Sequence, residues 1–248
     1  MNYLHSDKIK ILENKSDEIR KLMTSSLFGV ERDCPASSFE AVSIFTFLFF
    51  HILKHNPKDP EWKERDRLLI LSNDYICPAL YSTMTHAGYL SIEDLKNLHK
   101  LGLHPQDHLR RKFLPGIEIN SDLLGPALYQ TVGMILADKI DRRRPTDNFF
   151  YCFLGGKELR GGQDWEAIQM AGEKNLHNLI AIIDMDNILV DGSMKETESI
   201  ETVTEKFEKG NWHVLNADRN DFDEMDEVIT QAQSVFAKPT VIVMHNSK

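Results

Sequence analysis

Three kinds of side chain in this sequence could take part in catalysis or in binding a metal or phosphate: cysteine thiols, clustered arginines and histidines. Cys34, Cys77 and Cys152 lie far apart and form no CxxC motif, so they predict neither a disulfide framework nor a zinc site. Cys34 has no activating neighbour in the sequence, which favours an ordinary buried or loop cysteine. The run Arg142–Arg144 is more typical of a solvated turn than of a phosphate site. Eight histidines lack the paired spacing of metal ligands: His5, His51, His55, His86, His99, His177, His213 and His245.

Composition limits the class of protein. The chain has 248 residues, of which 42% are hydrophobic and 27% charged, as is typical of a soluble globular protein. Its 38 Asp and Glu residues against 29 Lys and Arg give a net charge of −9, which argues against nucleic acid or an anionic membrane as the main partner. Met1–Arg20 is too charged for a secretory signal, and the apolar run Ala41–Leu53 is too short to span a bilayer. We therefore expect a cytoplasmic protein.

The pattern of apolar residues divides the chain into a helical part and an alternating part. The first half predicts helices, one of them begun by the capping signature Ser91-x-x-Asp94. From Leu123 onward, helical segments alternate with four short apolar strands, which are Phe149–Leu154, Leu179–Ile183, Trp212–Leu215 and Thr240–Met244. This alternation predicts an α/β fold: a doubly wound, mainly parallel sheet with helices on both faces and a helical N-terminal extension.

We expect one domain over residues 1–248. Residues 1–110 would form the helical extension and the approach to the site, and residues 111–248 the sheet core. A doubly wound sheet binds its ligand beyond the carboxyl ends of its strands. Because the last strand ends close to Lys248, little chain follows to cover that edge, which favours a protein that needs a partner.

Four ordered stretches carry a family resemblance. Asn56–Arg67 reads Asn-Pro-x-Asp-Pro-x-Trp-x-x-Arg-Asp-Arg, Pro78–Tyr81 reads Pro-Ala-Leu-Tyr, and Leu114–Glu118 reads Leu-Pro-Gly-Ile-Glu. The fourth stretch consists of Gly162–Ala167, which reads Gly-Gln-x-Trp-Glu-Ala, together with Asn178–Asp184. In this order and spacing the chain resembles the N-terminal, diphosphate-binding half of transketolase, over about residues 15 to 248.

The resemblance implies a thiamine-diphosphate fold and a split enzyme. One short subunit would carry the diphosphate module, and a partner subunit would carry the pyrimidine module and clamp the cofactor from the other side. The assembly would be a heterotetramer or a homodimer. Thiamine diphosphate and Mg²⁺ are the implied cofactors, if the site is functional.

The implied metal site departs from the family pattern. The family's metal loop reads Gly-Asp-Gly-Glu, whereas Gly155–Glu158 reads Gly-Gly-Lys-Glu, so Gly156 replaces the ligand carboxylate. Asp186 aligns with the family's second ligand, an asparagine, and could still bind magnesium. Gly161 stands where the family has a glutamate.

The implied diphosphate cradle is altered as well. The family's Thr-Gly-Ser-Leu-Gly-Gln-Gly aligns with Ser121–Ala127, in which Leu124 and Gly125 keep the family residues but Asp122 replaces a glycine. Asp74 and Asp107 also stand at family glycine positions. A carboxylate about 4 Å from a phosphate oxygen is repelled by roughly 1 kcal/mol in water and by more inside a protein.

The family's histidines are mostly replaced. Two of the three positions are occupied here by Cys34 and Tyr75. For the third, His104 lies in a similar-looking Leu-His-Pro, but an ungapped count back from Leu114 favours His108, which we assign as the candidate catalytic residue. The candidate cofactor-binding residues are Leu124, Gly125, Gly155, Gly156 and Glu158, and the candidate metal ligand, if the site is retained, is Asp186.

Three functional hypotheses follow. The first is a transketolase-like subunit with lost or altered cofactor binding that serves as a scaffold or regulator of its partner and is non-catalytic alone. The second is an active half of a split transketolase that transfers a two-carbon ketol group between sugar phosphates, with Asp186, Glu158 and Asp184 holding a rebuilt magnesium site. The third is a divergent module that uses the same cleft for another ligand, such as a cation. The sequence names no substrate.

Overall fold

The fold was analysed in a computed structural model of the chain. It describes residues 4–28, 36–70, 76–98, 114–118, 127–141, 147–155, 159, 162–185 and 200–246. These residues form two compact units, one comprising Met1–Arg65 with Ser72–Leu123 and the other Asp66–Leu71 with Leu124–Lys248. The expected division of a single domain at residue 110 stays a prediction.

The first unit is helical. It contains α1 (Ser6–Met23), α2 (Ala36–Phe47), α3 (Cys77–His86) and α4 (Ile92–Lys96), with π-helical turns at Thr24–Phe28 and Leu48–Ile52. Helices α1, α2 and α3 pack against one another. The predicted capping signature is confirmed, because the Ser91 hydroxyl accepts from the Asp94 N–H while the Asp94 carboxylate accepts from the Ser91 N–H. None of the helices in the described ranges combines the length and apolar character needed to cross a bilayer.

A buried ion pair joins two of the stretches that carried the resemblance. Arg65 and Glu118 are 3% and 5% exposed, and the Arg65 Nη1 lies 2.5 Å from the Glu118 Oε1. The Arg65 Nε donates to the carbonyl of Pro60. Because this guanidinium holds its own loop and the Leu114–Glu118 segment, we assign these motif residues a structural role rather than a chemical one.

A second buried contact fixes the backbone next to that pair. Gly116 has a φ of +86°, and a Cβ there would lie 2.7 Å from the ring of Tyr89. The His55 Nε2 donates to the Phe49 carbonyl at 2.8 Å, and its Nδ1 lies at hydrogen-bonding distance, 3.0 Å, from the Tyr89 hydroxyl. Burial raises the pKa of Tyr89 to about 12, which keeps its hydroxyl protonated as a donor.

The second unit is a five-stranded parallel sheet. Its strands are β1 (Arg67–Ile70), β2 (Phe150–Gly155), β3 (Leu179–Asp184), β4 (His213–Asp218) and β5 (Thr240–His245), in the spatial order β1-β2-β3-β5-β4. The connecting helices are α5 (Ala127–Asp141), α6 (Gly162–Glu173), α7 (Ile200–Lys209) and α8 (Phe222–Gln233). The predicted α/β fold with a parallel sheet and a helical N-terminal segment is confirmed.

The strands differ from the sequence prediction in two places. β1 was not predicted, because its four residues directly follow a charged turn and are too few to establish a period. β4 extends to Asp218, beyond the predicted end at Leu215. Because β4 is an edge strand that is partly exposed, its last residues are polar, and they still pair with β5. The central strands β2 and β3 are buried throughout, as their unbroken apolar sequences indicate.

Close packing between α6 and the turn before β4 fixes the start of β4. A Cβ on Gly172 would lie 1.8 Å from the carbonyl oxygen of Gly210, so helix and turn touch backbone to backbone. The indole of Trp212 donates to the carbonyl of Ile168 at 2.8 Å and packs edge-on against Phe207. These contacts set where the chain leaves α7 and enters the sheet.

We predict that Gly172→Ala destabilises the fold by roughly 3 kcal/mol, because the added methyl has to displace backbone rather than a mobile side chain. Gly162→Ala is the matched control in the same helix, since no atom of the described residues lies within 4 Å of its added Cβ. The control is expected within about 1 kcal/mol of the parent. Urea unfolding measures both, and equal stability of the two variants would contradict the packing described here.

Candidate functional site

The carboxyl ends of the parallel strands converge on one edge of the sheet. Gly155 of β2 is paired with Asp184 of β3, Asp184 with Met244 of β5, and Met244 with Ala217 of β4, so these four residues form one row across the sheet. In open α/β sheets this edge is where ligands bind. The row therefore defines the candidate site within the described residues.

A buried ion pair occupies this edge. Asp184, the last residue of β3, is fully buried, and Arg219, directly after β4, is 1% exposed. The Arg219 Nη1 donates to the Asp184 Oδ1 at 2.8 Å. The backbone N–H of Arg219 donates to the carbonyl of His245 at 3.0 Å, which extends the pairing of β4 with β5 by one residue.

The ion pair bridges strands that are not neighbours. β5 lies between β3 and β4, so the Arg219 side chain spans the end of β5 to reach Asp184. Adjacent strands are about 4.8 Å apart, and only a long side chain can cover two such spacings. The pair thus ties three strands together, and it places a guanidinium beside the row that defines the site.

A second buried carboxyl lies at the start of α6. Asp164 is 2% exposed, and its Oδ1 has no hydrogen-bond partner among the described residues. Burial raises the pKa of Asp164 to about 7, because the charged form loses its hydration without a compensating donor.

The turn before α6 is fixed by the residue that follows Asp164. The indole N–H of Trp165 donates to the carbonyl of Leu159 at 2.8 Å. The Lys206 Nζ lies 4.7 Å from the centre of the indole ring, and the ring of Phe207 packs at 6.0 Å. Trp165 is therefore a packing residue.

Most of the predicted site residues lie outside the described part of the chain. This holds for the candidate catalytic residue His108 and its alternative His104, for Leu124, Gly125, Gly156 and Glu158, and for the candidate metal ligand Asp186. Gly155 is described, and the structure places it in the row of the candidate site beside Asp184. Gly155 is thus a predicted cofactor-binding residue that lies at the carboxyl edge of the sheet.

The described side chains at this edge do not fit a metal ion. Among the residues that the structure covers, no group of three or more His, Cys, Asp or Glu side chains is placed to hold one. Asp184, the described member of the rebuilt magnesium site considered above, has its carboxylate paired with Arg219. No chemical step through a metal or a diphosphate is derived from these residues.

Two residues of this site were missed in the sequence. Arg219 directly follows β4, but the strand was predicted to end at Leu215, so the sequence did not place Arg219 at the ligand edge. Asp164 occupies the variable position of the Gly-Gln-x-Trp motif and was not predicted as a site residue. Its burial depends on how α6 packs, so no local pattern identifies it.

Comparison with known proteins identifies the family. The family model described as transketolase, thiamine diphosphate binding domain, matches residues 12–247. The chain belongs to this transketolase family.

Transketolase relatives match nearly the whole chain. It is 31% identical, over 237 residues, to the 6-deoxy-6-sulfo-D-fructose transketolase subunit SqwG of Clostridium sp. strain MSTE9, covering 96% of this chain and 85% of that protein. It is 28% identical to an apulose-4-phosphate transketolase subunit of Phocaeicola vulgatus, covering 97% of this chain and 84% of that protein. Transketolase 1 of Pasteurella multocida is 34% identical, but the chain spans 35% of it.

Solved transketolase structures agree with this assignment. Transketolase from Campylobacter jejuni superposes with a TM-score of 0.79 at 29% identity, and the match covers 95% of this chain and 37% of that one. Transketolase from Leishmania mexicana gives a TM-score of 0.79 at 25% identity and covers 94% of this chain and 36% of that one. The chain spans about a third of the length of these solved transketolases.

We predict that Asp164→Asn stabilises this transketolase-family chain above pH 7. The folded-state pKa of Asp164 is raised to about 7 from its ordinary value. The buried carboxyl therefore does not destabilise the fold at about pH 4, destabilises it increasingly between pH 4 and 7, and destabilises it by a constant amount above pH 7. The gain in the free energy of unfolding should reach up to about 3 kcal/mol at pH 8 and vanish near pH 4. Urea unfolding at several pH values measures it.

The matched control for that experiment is Glu166→Gln, an exposed carboxyl on the same helix. Its effect on stability should be small, as for an ordinary surface substitution. A gain from Asp164→Asn that is the same at every pH would contradict the buried, uncompensated carboxyl described here.

We predict that Arg219→Met destabilises the chain by about 3 to 5 kcal/mol, because it removes the guanidinium that is hydrogen-bonded to the buried Asp184 carboxylate. The double variant Asp184→Leu with Arg219→Met should recover much of that loss, since it buries no charge. A double-mutant cycle from chemical unfolding measures the coupling. Additive effects of the two substitutions would show that the ion pair does not hold this edge together.

Proposed function

We propose that the chain is one subunit of a transketolase-type enzyme and that it pairs with a second subunit that carries the pyrimidine-binding module. The observation that carries this proposal is the difference in coverage. The chain spans 85% of a relative named as a transketolase subunit, but 35% of relatives named simply transketolase. The relative named as a subunit therefore consists largely of the region that this chain matches, and we propose the same arrangement here, with the remaining modules on the partner.

We further propose that this subunit binds thiamine diphosphate and Mg²⁺ in an altered manner or not at all. Position 156 is glycine where the family has a ligand carboxylate, and Lys157 follows it. The nearby Asp184 carboxylate is already neutralised by Arg219. A cation placed at this edge would therefore meet lysine and arginine in place of an unpaired carboxylate, and like charges repel.

The site residues keep their proposed roles within this scheme. His108 is the proposed catalytic histidine, and Leu124, Gly125, Gly155, Gly156 and Glu158 line the proposed diphosphate position. Asp186 is the proposed metal ligand if a metal is held at all. Without a bound cofactor the subunit would act as a scaffold or regulator of its partner and would have no activity alone.

A second candidate function is an active half of a split transketolase. It is favoured by the 31% identity to a relative whose name describes an enzyme subunit. In that case the assembled pair would transfer a two-carbon ketol group between sugar phosphates with thiamine diphosphate and Mg²⁺. The two candidates share the partner and differ in whether the cofactor binds.

Calorimetry with the second subunit separates the two candidates. The partner can be sought as a neighbouring reading frame that encodes a transketolase C-terminal half. We predict no magnesium-dependent binding of thiamine diphosphate to the assembled pair. Binding that disappears when Mg²⁺ is chelated would contradict this result and establish the active enzyme.

A reverted variant shows whether the scaffold remains intact. Gly156→Asp combined with Asp122→Gly restores the family's ligand carboxylate and one cradle glycine, so the assembled pair should gain magnesium-dependent affinity for the cofactor. Glu166→Gln is the matched control, because it removes an exposed carboxyl from α6 without restoring a ligand. If the reverted pair binds no better than the control, the altered positions are not what prevents binding.

A further inference from the structure

Helix α1 and the π-helical turn Leu48–Ile52 border a groove in the first unit. Its volume is about 650 Å³, which lies within the range of about 300 to 1,000 Å³ that small-molecule pockets occupy. Three apolar side chains form its wall: Leu12 is buried, Phe50 is half-buried and Ile11 is 62% exposed. The groove shares no residue with the candidate functional site as described above.

Ile11 is the member of this apolar wall that the fold leaves in water. The buried residues of α1, which pack into the unit, are Leu12, Ser16, Ile19 and Met23. A single exposed isoleucine is ordinary on a protein surface, but Ile11 lies in a concave surface beside the ring of Phe50. An apolar group in the groove would remove both side chains from water, which is favourable. The groove therefore fits a ligand with an apolar body.

Two lysines of α1 also line the groove. The Lys15 Nζ lies 2.7 Å from the Glu18 Oε2 and 5.7 Å from the centre of the Phe50 ring, so the chain itself holds this ammonium group. The exposed side chain of Lys8 has no ion-pair or hydrogen-bond partner among the described residues. Lys8 is therefore the charge of the groove that is left for a ligand.

The charges around Lys8 favour an anion beside it. Asp7 and Lys8 both lie in the first turn of α1, where the helix dipole favours a negative charge and disfavours a positive one. The helix thus stabilises the Asp7 carboxylate, which also lines the groove, but not the Lys8 ammonium. His5, the N-cap residue, adds a positive charge to this end of the groove when it is protonated.

We propose that this groove binds a small amphipathic anion, a carboxylate on an aliphatic chain, with the chain against Ile11 and Phe50 and the carboxylate beside Lys8. Seven side chains line the groove, whereas a standard protein interface takes about 20 to 30 residues from each partner, so the groove suits a small molecule. The proposal adds a binding site to the proposed subunit and does not depend on whether the cofactor binds.

Calorimetry of the full chain with decanoate, kept below its micelle-forming concentration, tests the groove. Decyltrimethylammonium is the matched ligand, because it has a chain of similar length and a cationic head. Decanoate should bind saturably at one site, and the cation should bind about tenfold more weakly, because only the anion compensates Lys8. Absence of saturable decanoate binding, or equal affinity for the two ligands, would overturn the proposal.

A charge variant tests the position of the carboxylate. Lys8→Glu should weaken decanoate binding about tenfold, and about 1 M salt should reduce that difference, because it screens charges at the surface. Lys10→Glu makes the same change on the same helix, at an exposed residue that does not line the groove, and should bind within about twofold of the parent. Equal losses in the two variants would overturn the placement of the carboxylate at Lys8.

An apolar variant tests the position of the chain. Ile11→Ser should weaken decanoate binding about tenfold at low and at high salt, because the lost contact is apolar. Ile92→Ser on α4, which is 54% exposed and lies outside the groove, is the control and should bind as the parent does. Circular dichroism establishes that both variants are folded. Unchanged binding by Ile11→Ser would contradict the proposed wall.

Nuclear magnetic resonance locates the bound ligand and identifies its source. The Ile11 methyl groups should show nuclear Overhauser effects to the decanoate chain, and binding without them would place the ligand elsewhere and overturn the proposal. Anionic phospholipid vesicles should not sediment the protein. Sedimentation with vesicles but no binding of monomeric decanoate would replace the groove ligand by a membrane contact. None of these results affects the calorimetric test of cofactor binding, which uses the second subunit.

Discussion

The Asp184–Arg219 ion pair is the constraint on which the candidate site depends. Removing two charges from water costs several kcal/mol for each ion, and only their mutual attraction and hydrogen bonds offset that cost. Each residue therefore requires the other. Because β5 lies between the strands that carry them, the guanidinium has to cross the end of β5, and this position is at the ligand edge of the sheet. The edge thus holds a charge pair that is neutral overall before any ligand arrives.

This arrangement gives physical meaning to the sequence changes around it. The transketolase family places a carboxylate at the metal loop and glycines in the diphosphate cradle, whereas this chain has Gly156 and Lys157 at the loop and Asp122 in the cradle. In the proposed account the charges are reversed: cations occupy the cation position, and an acid occupies the anion position. The charge changes at Gly156, Lys157 and Asp122 each oppose a Mg²⁺–diphosphate complex, and this makes altered binding the proposed function.

The architecture could be predicted from the sequence to a large extent, because buried parallel strands have unbroken apolar sequences. The strands Phe150–Gly155 and Leu179–Asp184 were located within one residue, and the Ser91 capping box is an entirely local signal. The strand Arg67–Ile70 was missed, because four residues after a charged turn do not establish a period. Such errors affect single elements and leave the fold class unchanged.

The candidate site was less predictable, because its chemistry depends on contacts between distant parts of the chain. Gly155 could be assigned from a motif, and the structure places it at the expected edge. Arg219 and Asp164 could not be assigned from a motif. Arg219 acquires its role from the strand order, in which β5 lies between β3 and β4, and Asp164 acquires its role from its burial in the tertiary structure.

A crystal structure of the chain with its second subunit, grown with thiamine diphosphate and Mg²⁺, tests the central claim most directly. The account predicts that Asp184 remains hydrogen-bonded to Arg219 and that no divalent ion is ordered between position 156 and Asp186. A Mg²⁺ ion coordinated by Asp186 and the cofactor's phosphates, with Asp184 released from Arg219 to complete its ligands, would contradict it.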